Sequence, residues 1–264
     1  QEQVGCVENY DWRERQRDRR GLVHLMHLAV GTPMYGGQCT AQFTRSVGSL
    51  SLALQKEGSR LSPIFLGNES LIQRARNTIV WHFLQTDASH LLFCDADIGF
   101  RVEDVARMVQ AGKPILVGPC PMKAINWQRI KAAVEVGVAP ADLPLYGGYF
   151  NITPLDGETM LSAEQPFRIK RGGTGFMLIE RGVFEALAPS TPDYAYDLPG
   201  ESMPQGARIK HFFPVHIEDD HLLSEDYGLC AAWRQAGGEV WAAPWVEVVH
   251  LGTHAFSGVY RLCH

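Results

Sequence analysis

The chain reads as an α/β fold with a mostly parallel central sheet flanked by helices. Three observations predict it. Apolar, strand-like runs alternate with segments of helical period through the first 118 residues, a pattern that belongs to parallel sheets joined by crossover helices. The run His90-Leu-Leu-Phe-Cys-Asp95-Ala-Asp97-Ile-Gly-Phe100 passes from the apolar stretch Leu91–Cys94 directly into two carboxylates. That sets acids at a sheet edge, where open α/β folds collect ligands. The composition, 45% hydrophobic and 20% charged over 264 residues, is that of a globular chain long enough to bury a core without staples.

The elements follow in order. Residues 1–20 are polar, with a mixed-charge run from Trp12 to Arg20, and read as an extension ahead of a single domain over 21–264. Leu22 to Val30 predicts a first strand, and Gly31-Thr-Pro-Met-Tyr-Gly-Gly37 a glycine-containing loop. Thr40 to Leu54 carries Phe43, Val47, Leu50 and Leu54 at helical spacing. Leu61 to Leu66 is a second strand, Ser70 a cap for a helix to about Leu84, and His90 to Asp95 a third strand. Val102 to Ala111 is a short helix and Pro114 to Gly118 a fourth strand, so residues 21–118 look like a nucleotide-binding unit. The half from about 119 to 264 is less regular. Strands are expected at Phe167–Lys170 and Phe176–Glu180 around Arg171-Gly-Gly-Thr-Gly175, which reads as either a ligand-approaching loop or a simple hairpin or bend. A helix is expected at Arg181–Leu187 and a loop at Thr191–Gln205. A further helix from Glu225 to Ala236 stops at Gly237-Gly238, and Glu239–Val249 forms a last strand.

Charge and cysteine usage narrow the function classes. A net charge of -5 gives no global attraction to nucleic acid or anionic lipid. The six cysteines form no CxxC pair and read as reduced, mostly buried thiols. No 18-residue apolar run predicts a transmembrane helix, and the polar start carries no signal-peptide core, so a cytoplasmic protein is the expectation.

Two carboxylates one residue apart repel each other unless a cation or sugar hydroxyls lie between them, and hard divalent cations prefer such oxygen ligands. A turn following the strand accounts for the tripeptide equally well. The company of Asp95 and Asp97 favours the cation. Thr32-Pro-Met-Tyr35 follows the first strand, Arg74-Ala-Arg-Asn77 precedes the acidic strand on a helix, and Ser224-Glu-Asp-Tyr227 opens a helix that leads through Gly237-Gly238 and a strand to His250.

That ordered set resembles the GT-A type glycosyltransferases, near the broad family-2-like group, over most of residues 22–258. The resemblance implies a Rossmann-like GT-A domain with an acceptor-binding second half, moving a sugar from a nucleotide-sugar, a UDP-sugar first, to an acceptor hydroxyl. Asp95-Ala-Asp97 matches the DxD motif, implying Asp97 as a direct Mn²⁺ or Mg²⁺ ligand and Asp95 as a ribose or metal partner. A cation there neutralises the diphosphate leaving group. His250 resembles the histidine that completes the metal site, with His254 a second candidate and a strand-end histidine the competing account. Ser224-Glu-Asp-Tyr227 matches the "ED" motif, implying Asp226 as acceptor base with Glu225 beside it and an inverting outcome; helix capping by Ser224 and the two acids explains the same residues. Thr32, Pro33 and Tyr35 fall where the nucleotide base and ribose sit. Arg76 and Asn77 would hold the nucleotide or the DxD loop, whereas Arg74 reads as a surface ion pair. Lys123, after the fourth strand, could face the diphosphate. Trp233, Trp241 and Trp245 could pave a sugar site or belong to the core.

The acceptor is not named by these residues: a glycan, a lipid-linked glycan, a protein or modified DNA would each fit. The Thr32-Pro-Met-Tyr-Gly-Gly37 start and the Ser70–Asp97 block resemble compact, stand-alone enzymes of bacteriophages as well as bacteria, which implies hydroxymethylated pyrimidines in DNA as one acceptor; the basic run Arg13–Arg20 and the cluster Lys123, Arg129 and Lys131 argue for it, the net negative charge against it. A nucleotidyltransferase also places acids after a strand, but Gly31–Gly37 lacks the basic residues expected of one. A nucleotide- or glycan-binding domain without catalysis is the non-enzyme reading.

Overall fold

β1 (His27–Met34) is the first element of the computed structural model, which describes residues 26–157, 162–196, 203–204 and 206–253. It runs four residues past the expected end at Val30, because it pairs in parallel with β2 (Arg60–Gly67) from His27↔Arg60 to Met34↔Gly67. Thr32 and Pro33 therefore lie in a strand, and the turn begins only at Tyr35. Pro33, which has no amide to donate, falls beyond the stretch Leu28–Gly31 that pairs on the other side with β3 (His90–Cys94).

α1 (Ala41–Lys56) joins β1 to β2, and α2 (Ile72–Leu84) joins β2 to β3. Thr40 caps α1 by accepting from the Phe43 amide at 3.2 Å. The expected cap of α2 by Ser70 is corrected: the Glu69 carboxylate accepts the Leu71 amide at 2.9 Å instead, and Leu71 occupies the N-cap position. A carboxylate there is a stronger acceptor than a hydroxyl and suits the helix N-terminus. β4 (Ile98–Phe100) and α3 (Val102–Ala111) follow, with Gly112 in the left-handed conformation closing the helix. Next come β5 (Ile115–Val117), β6 (Pro121–Ile125), α4 (Trp127–Glu135), β7 (Gly148–Phe150) and β8 (Ile152–Pro154). The chain continues through β9 (Phe167–Gly172), β10 (Phe176–Glu180) and α5 (Arg181–Leu187). Two short antiparallel pairs come before the last helix: β11 (Asp193–Ala195) with β12 (Arg208–Lys210), and β13 (His216–Glu218) with β14 (His221–Leu223). α6 (Glu225–Gln235), β15 (Val240–Ala242) and β16 (Val248–His250) complete the order.

The central sheet has the order β2-β1-β3-β10-β5-β15-β9-β8. β2, β1, β3, β5 and β15 run the same way; β10 opposes both of its neighbours, and β9 opposes β15. β9 and β10 do not pair with each other, because β5 and β15 lie between them, so Gly173-Thr-Gly175 is a crossing rather than a hairpin. The single expected strand Glu239–Val249 is two strands in different sheets. Pro244 lacks the amide a continuing ladder needs, and the chain turns there with Val246 N–H bonded to the Ala243 carbonyl at 3.2 Å.

Alternation along the strands fills both faces. Ala29, Leu91, Phe93, Met177 and Ile179 meet Ile79 and Phe83 of α2, Phe184 of α5 and Leu229 of α6. Leu28, Val30, Leu92, Leu116 and Leu178 meet Phe43 and Leu50 of α1 and Val105 and Met108 of α3. The sheet is thus a buried middle layer, and it carries its loops to one rim. No helix among the described residues is long and apolar enough to cross a membrane.

Candidate active site

The acidic pair sits in the turn where β3 ends. The Asp95 amide donates to the Gly175 carbonyl at 2.9 Å, and the Ile98 amide returns to the Asp95 carbonyl at 3.0 Å. The Ala96 carbonyl accepts the Thr40 amide at 2.9 Å, tying the start of α1 to the same turn. Both carboxylates keep about a third of their surface exposed. They line an open cleft of about 750 Å³ with Pro33, Tyr35, Lys123 and His250.

His250 reaches Asp97 because β16 pairs antiparallel with β4 in the register His250↔Ile98, and the Leu251 amide bonds the Asp97 carbonyl at 2.9 Å. Nδ1 of His250 lies 2.7 Å from the Pro121 carbonyl, and Nε2 lies 3.4 Å from Asp97 Oδ1. A carbonyl only accepts, so Nδ1 carries a proton and the ring presents Nε2 to the carboxylate. A neutral Nε2 lone pair and a carboxylate are both acceptors; they tolerate each other only with a proton or a cation between them. Ligand atoms held at 2.0–2.1 Å by a hard cation stand about 3 Å apart, so this carboxylate–imidazole pair fits a divalent ion, with the Nδ1 bond as the orienting contact such ligands use. Lys123 Nζ contacts Asp97 Oδ2.

Asp95 turns the other way. Its Oδ1 takes a bond of 3.3 Å from Arg76 Nη2, while Arg76 Nε donates to Glu225 Oε1 at 3.1 Å. Arg76 is buried, stacks over the Phe93 ring at 5.4 Å, and keeps Nη1 without a partner among the described residues. So the three expected metal residues divide: Asp97 and His250 converge, and Asp95 is committed to Arg76. Among the described residues no group of three or more His, Cys, Asp or Glu side chains is gathered.

Asp226 opens α6 one residue after Glu225. The Ser224 hydroxyl donates to its Oδ1, as does the Tyr227 amide at 2.8 Å. Ser224 thus occupies the N-cap position but spends its hydroxyl on Asp226, which corrects its expected capping bond. No described residue donates to Oδ2, which faces Gly173. A Cβ at Gly173 would lie 3.4 Å from Asp226 Oδ2 and 2.6 Å from Asn151 Nδ2; a Cβ at Gly175 would lie 3.4 Å from Asp95 Oδ2. The Gly173–Gly175 crossing therefore forms a floor with Asp226 at one end and Asp95 at the other. Burial, reinforced by the Asp226 charge, holds the Tyr227 phenol above its ordinary pKa, so it remains a neutral partner for Asn151. Burial also pushes up the Cys120 thiol beside Asp95 and Asp97, leaving it an unreactive wall.

The remaining expected residues divide between the cleft and the core. Thr32 is fully buried, its hydroxyl without a partner among the described residues. Asn77 is buried behind the cleft, bonded to His211 Nδ1 at 3.0 Å and to the Phe213 amide at 3.1 Å. Arg74 makes the expected ion pair, with Glu69 at 2.5 Å, but the Glu69 side chain is buried and not at the surface. Tyr35 stands 76% exposed over the cleft, free to stack on a ligand. The tryptophans serve packing: Trp245 lies under Arg107, Trp241 under Lys113, and Trp233 bonds the Glu239 carbonyl. The cluster Lys123, Arg129 and Lys131 is not a free basic face, since Lys123 meets Asp97 and Lys131 lies 3.7 Å from Glu135. Arg13–Arg20 and His254 fall outside the described residues. Missed from the sequence were the floor contacts of Asn151 and the bridging of Arg76 to Glu225, which lie 149 positions apart and have no local signal.

No protein-family model matches the sequence, and no curated protein matches it. Solved structures do. One is the crystal structure of A197 from STIV, with a TM-score of 0.46 and 14% identity over 91% of this chain and 99% of that one. Another is the crystal structure of GalNAc-T7 with UDP, GalNAc and Mn2+, with a TM-score of 0.44 and 12% identity over 86% of this chain and 44% of that one. Likeness of this order does not reach to side-chain chemistry, so the site is read from its own residues.

Proposed function

We propose that the chain is a GT-A type glycosyltransferase that moves a sugar from a nucleotide-sugar, a UDP-sugar first, to an acceptor hydroxyl. The observation that carries the reading is the shared glycine floor. It sets Asp226, with one oxygen anchored and the other free, on the same short segment as Asp95, with Arg76 bonded to both motifs.

Each residue has a role in this reading. Pro33 and Tyr35 flank the nucleotide base and ribose, and Asp95, held by Arg76, meets the ribose. Asp97 and His250 are the residues that would hold Mn²⁺ or Mg²⁺; bound there, the cation supplies charge neutralisation for the departing diphosphate. Lys123 adds a second positive charge beside that site. Asp226 Oδ2 accepts the proton of the acceptor hydroxyl, a poor nucleophile that a positioned carboxylate activates. Ser224 and the Tyr227 amide stop the carboxylate from rotating away. An in-line base of this kind inverts the anomeric centre.

Measuring nucleoside diphosphate release from a panel of nucleotide-sugars with Mn²⁺ tests the reading. UDP release that Asp226→Asn reduces by about 10²–10⁴-fold, the usual worth of an acid–base group, is the expected result. Silence with every donor overturns it.

A further inference from the structure

β9 and α6 line a small, half-open pocket of about 170 Å³ beside the candidate base. Tyr227, Ala231 and Arg234 line it from one face of α6, at the i, i+4 and i+7 spacing that shares a helix side. Lys170 and Arg171 enter from β9, and Glu218 from the β13–β14 pair closes it. The volume equals about six waters, room for a compact charged group.

The lining is strongly cationic. Three basic side chains face one carboxylate. Arg171 lies 4.9 Å from the Tyr227 ring centroid and only 3.9 Å from Glu218 Oε2. Among the described residues, Lys170 and Arg234 make no ion pair or side-chain hydrogen bond. Cations gathered in a concavity without matching acids repel one another, and an anion relieves that; guanidinium groups in particular bind phosphate and carboxylate through paired N–H donors. The cavity also has a fixed relation to the chemistry. Tyr227 forms its wall, and the amide of the same residue holds Asp226 Oδ1 at 2.8 Å.

We propose that this cavity binds an anionic group, a phosphate or carboxylate, carried by the acceptor whose hydroxyl meets Asp226. The proposal rests on the transferase reading for the word acceptor, but the anion site itself does not. The acceptor class is therefore an acidic glycan or a phosphorylated polyol, with Lys170, Arg171 and Arg234 as its specificity-determining residues.

Calorimetric titration of the full chain with inorganic phosphate, glycerol phosphate and glucuronate tests it, comparing wild type with Lys170→Gln, Arg234→Gln and the double variant. Both side chains are partly solvent-exposed, so the variants are expected to keep the fold, which thermal melting verifies. The expected result is anion binding that weakens with salt and is lost by about tenfold or more in the double variant, while UDP binding with Mn²⁺ is unchanged. Preference for glycerol phosphate over glucuronate assigns a phosphorylated acceptor, and the reverse an acidic sugar. Anion binding that ignores both substitutions, or no anion binding by a folded wild type, overturns the proposal. Anion binding with no turnover of any nucleotide-sugar leaves this site standing and removes the transferase reading instead.

Discussion

Asp97 and His250 face each other across 3.4 Å, and the Pro121 carbonyl on Nδ1 leaves the histidine only Nε2 to offer. Two residues 153 positions apart are brought to this distance by one antiparallel register, His250↔Ile98. The expected consequence is joint control of cation affinity. Asp97→Ala and His250→Ala should each weaken Mn²⁺-dependent UDP binding by more than the about 10–100-fold seen for outer-shell partners. Calorimetry with and without Mn²⁺ reads it; equal affinities in the two conditions for the unaltered protein would contradict the assignment.

Arg76 bonds Asp95 and Glu225 at once, and its removal leaves Glu225 buried without its cation. Arg76→Met is expected to cost about 3–5 kcal/mol of stability, the usual penalty of breaking a buried ion pair. Urea unfolding measures it. Arg76→Met with Glu225→Gln should recover part of the loss, because the uncompensated charge is then gone.

Gly228 is where the chain leaves no room for a side chain. A Cβ there would stand 1.9 Å from the Pro214 carbonyl oxygen, a backbone atom that cannot swing aside. Gly228→Ala should destabilise by about 1–3 kcal/mol and shift the first turn of α6. UDP release should fall with it, since Asp226 is carried on that turn. An alanine variant with unchanged melting temperature would mean that α6 is seated more loosely than this contact requires.

His90 gives the fold an acid limit. Burial lowers its pKa from the ordinary 6.5 to about 4, so the folded state stays neutral where the unfolded chain binds a proton. Stability is then fully present above 6.5 and falls as pH drops from 6.5 toward 4, by at most about 3 kcal/mol at 1.36 kcal/mol per unit. His90→Gln should flatten this part of the stability–pH curve. A mutant curve parallel to wild type would exclude His90 as its source.

Local chemistry made the strands, the helices and the individual motifs legible. Leu91–Cys94 running into Asp95 and Asp97, the helical spacing after Thr40 and the Ser224-Glu-Asp226 opening of α6 are short-range patterns, and each forms the expected element. The pairing of distant segments was not legible, because a sequence does not record which edge a strand finds. Pro244 split one expected strand in two, and only the resulting β16–β4 ladder aims His250 at Asp97. The same holds for Arg76 between Asp95 and Glu225, and for the cations of β9 and α6 around their cavity: each depends on a through-space distance between residues whose neighbours in the chain give no sign of it.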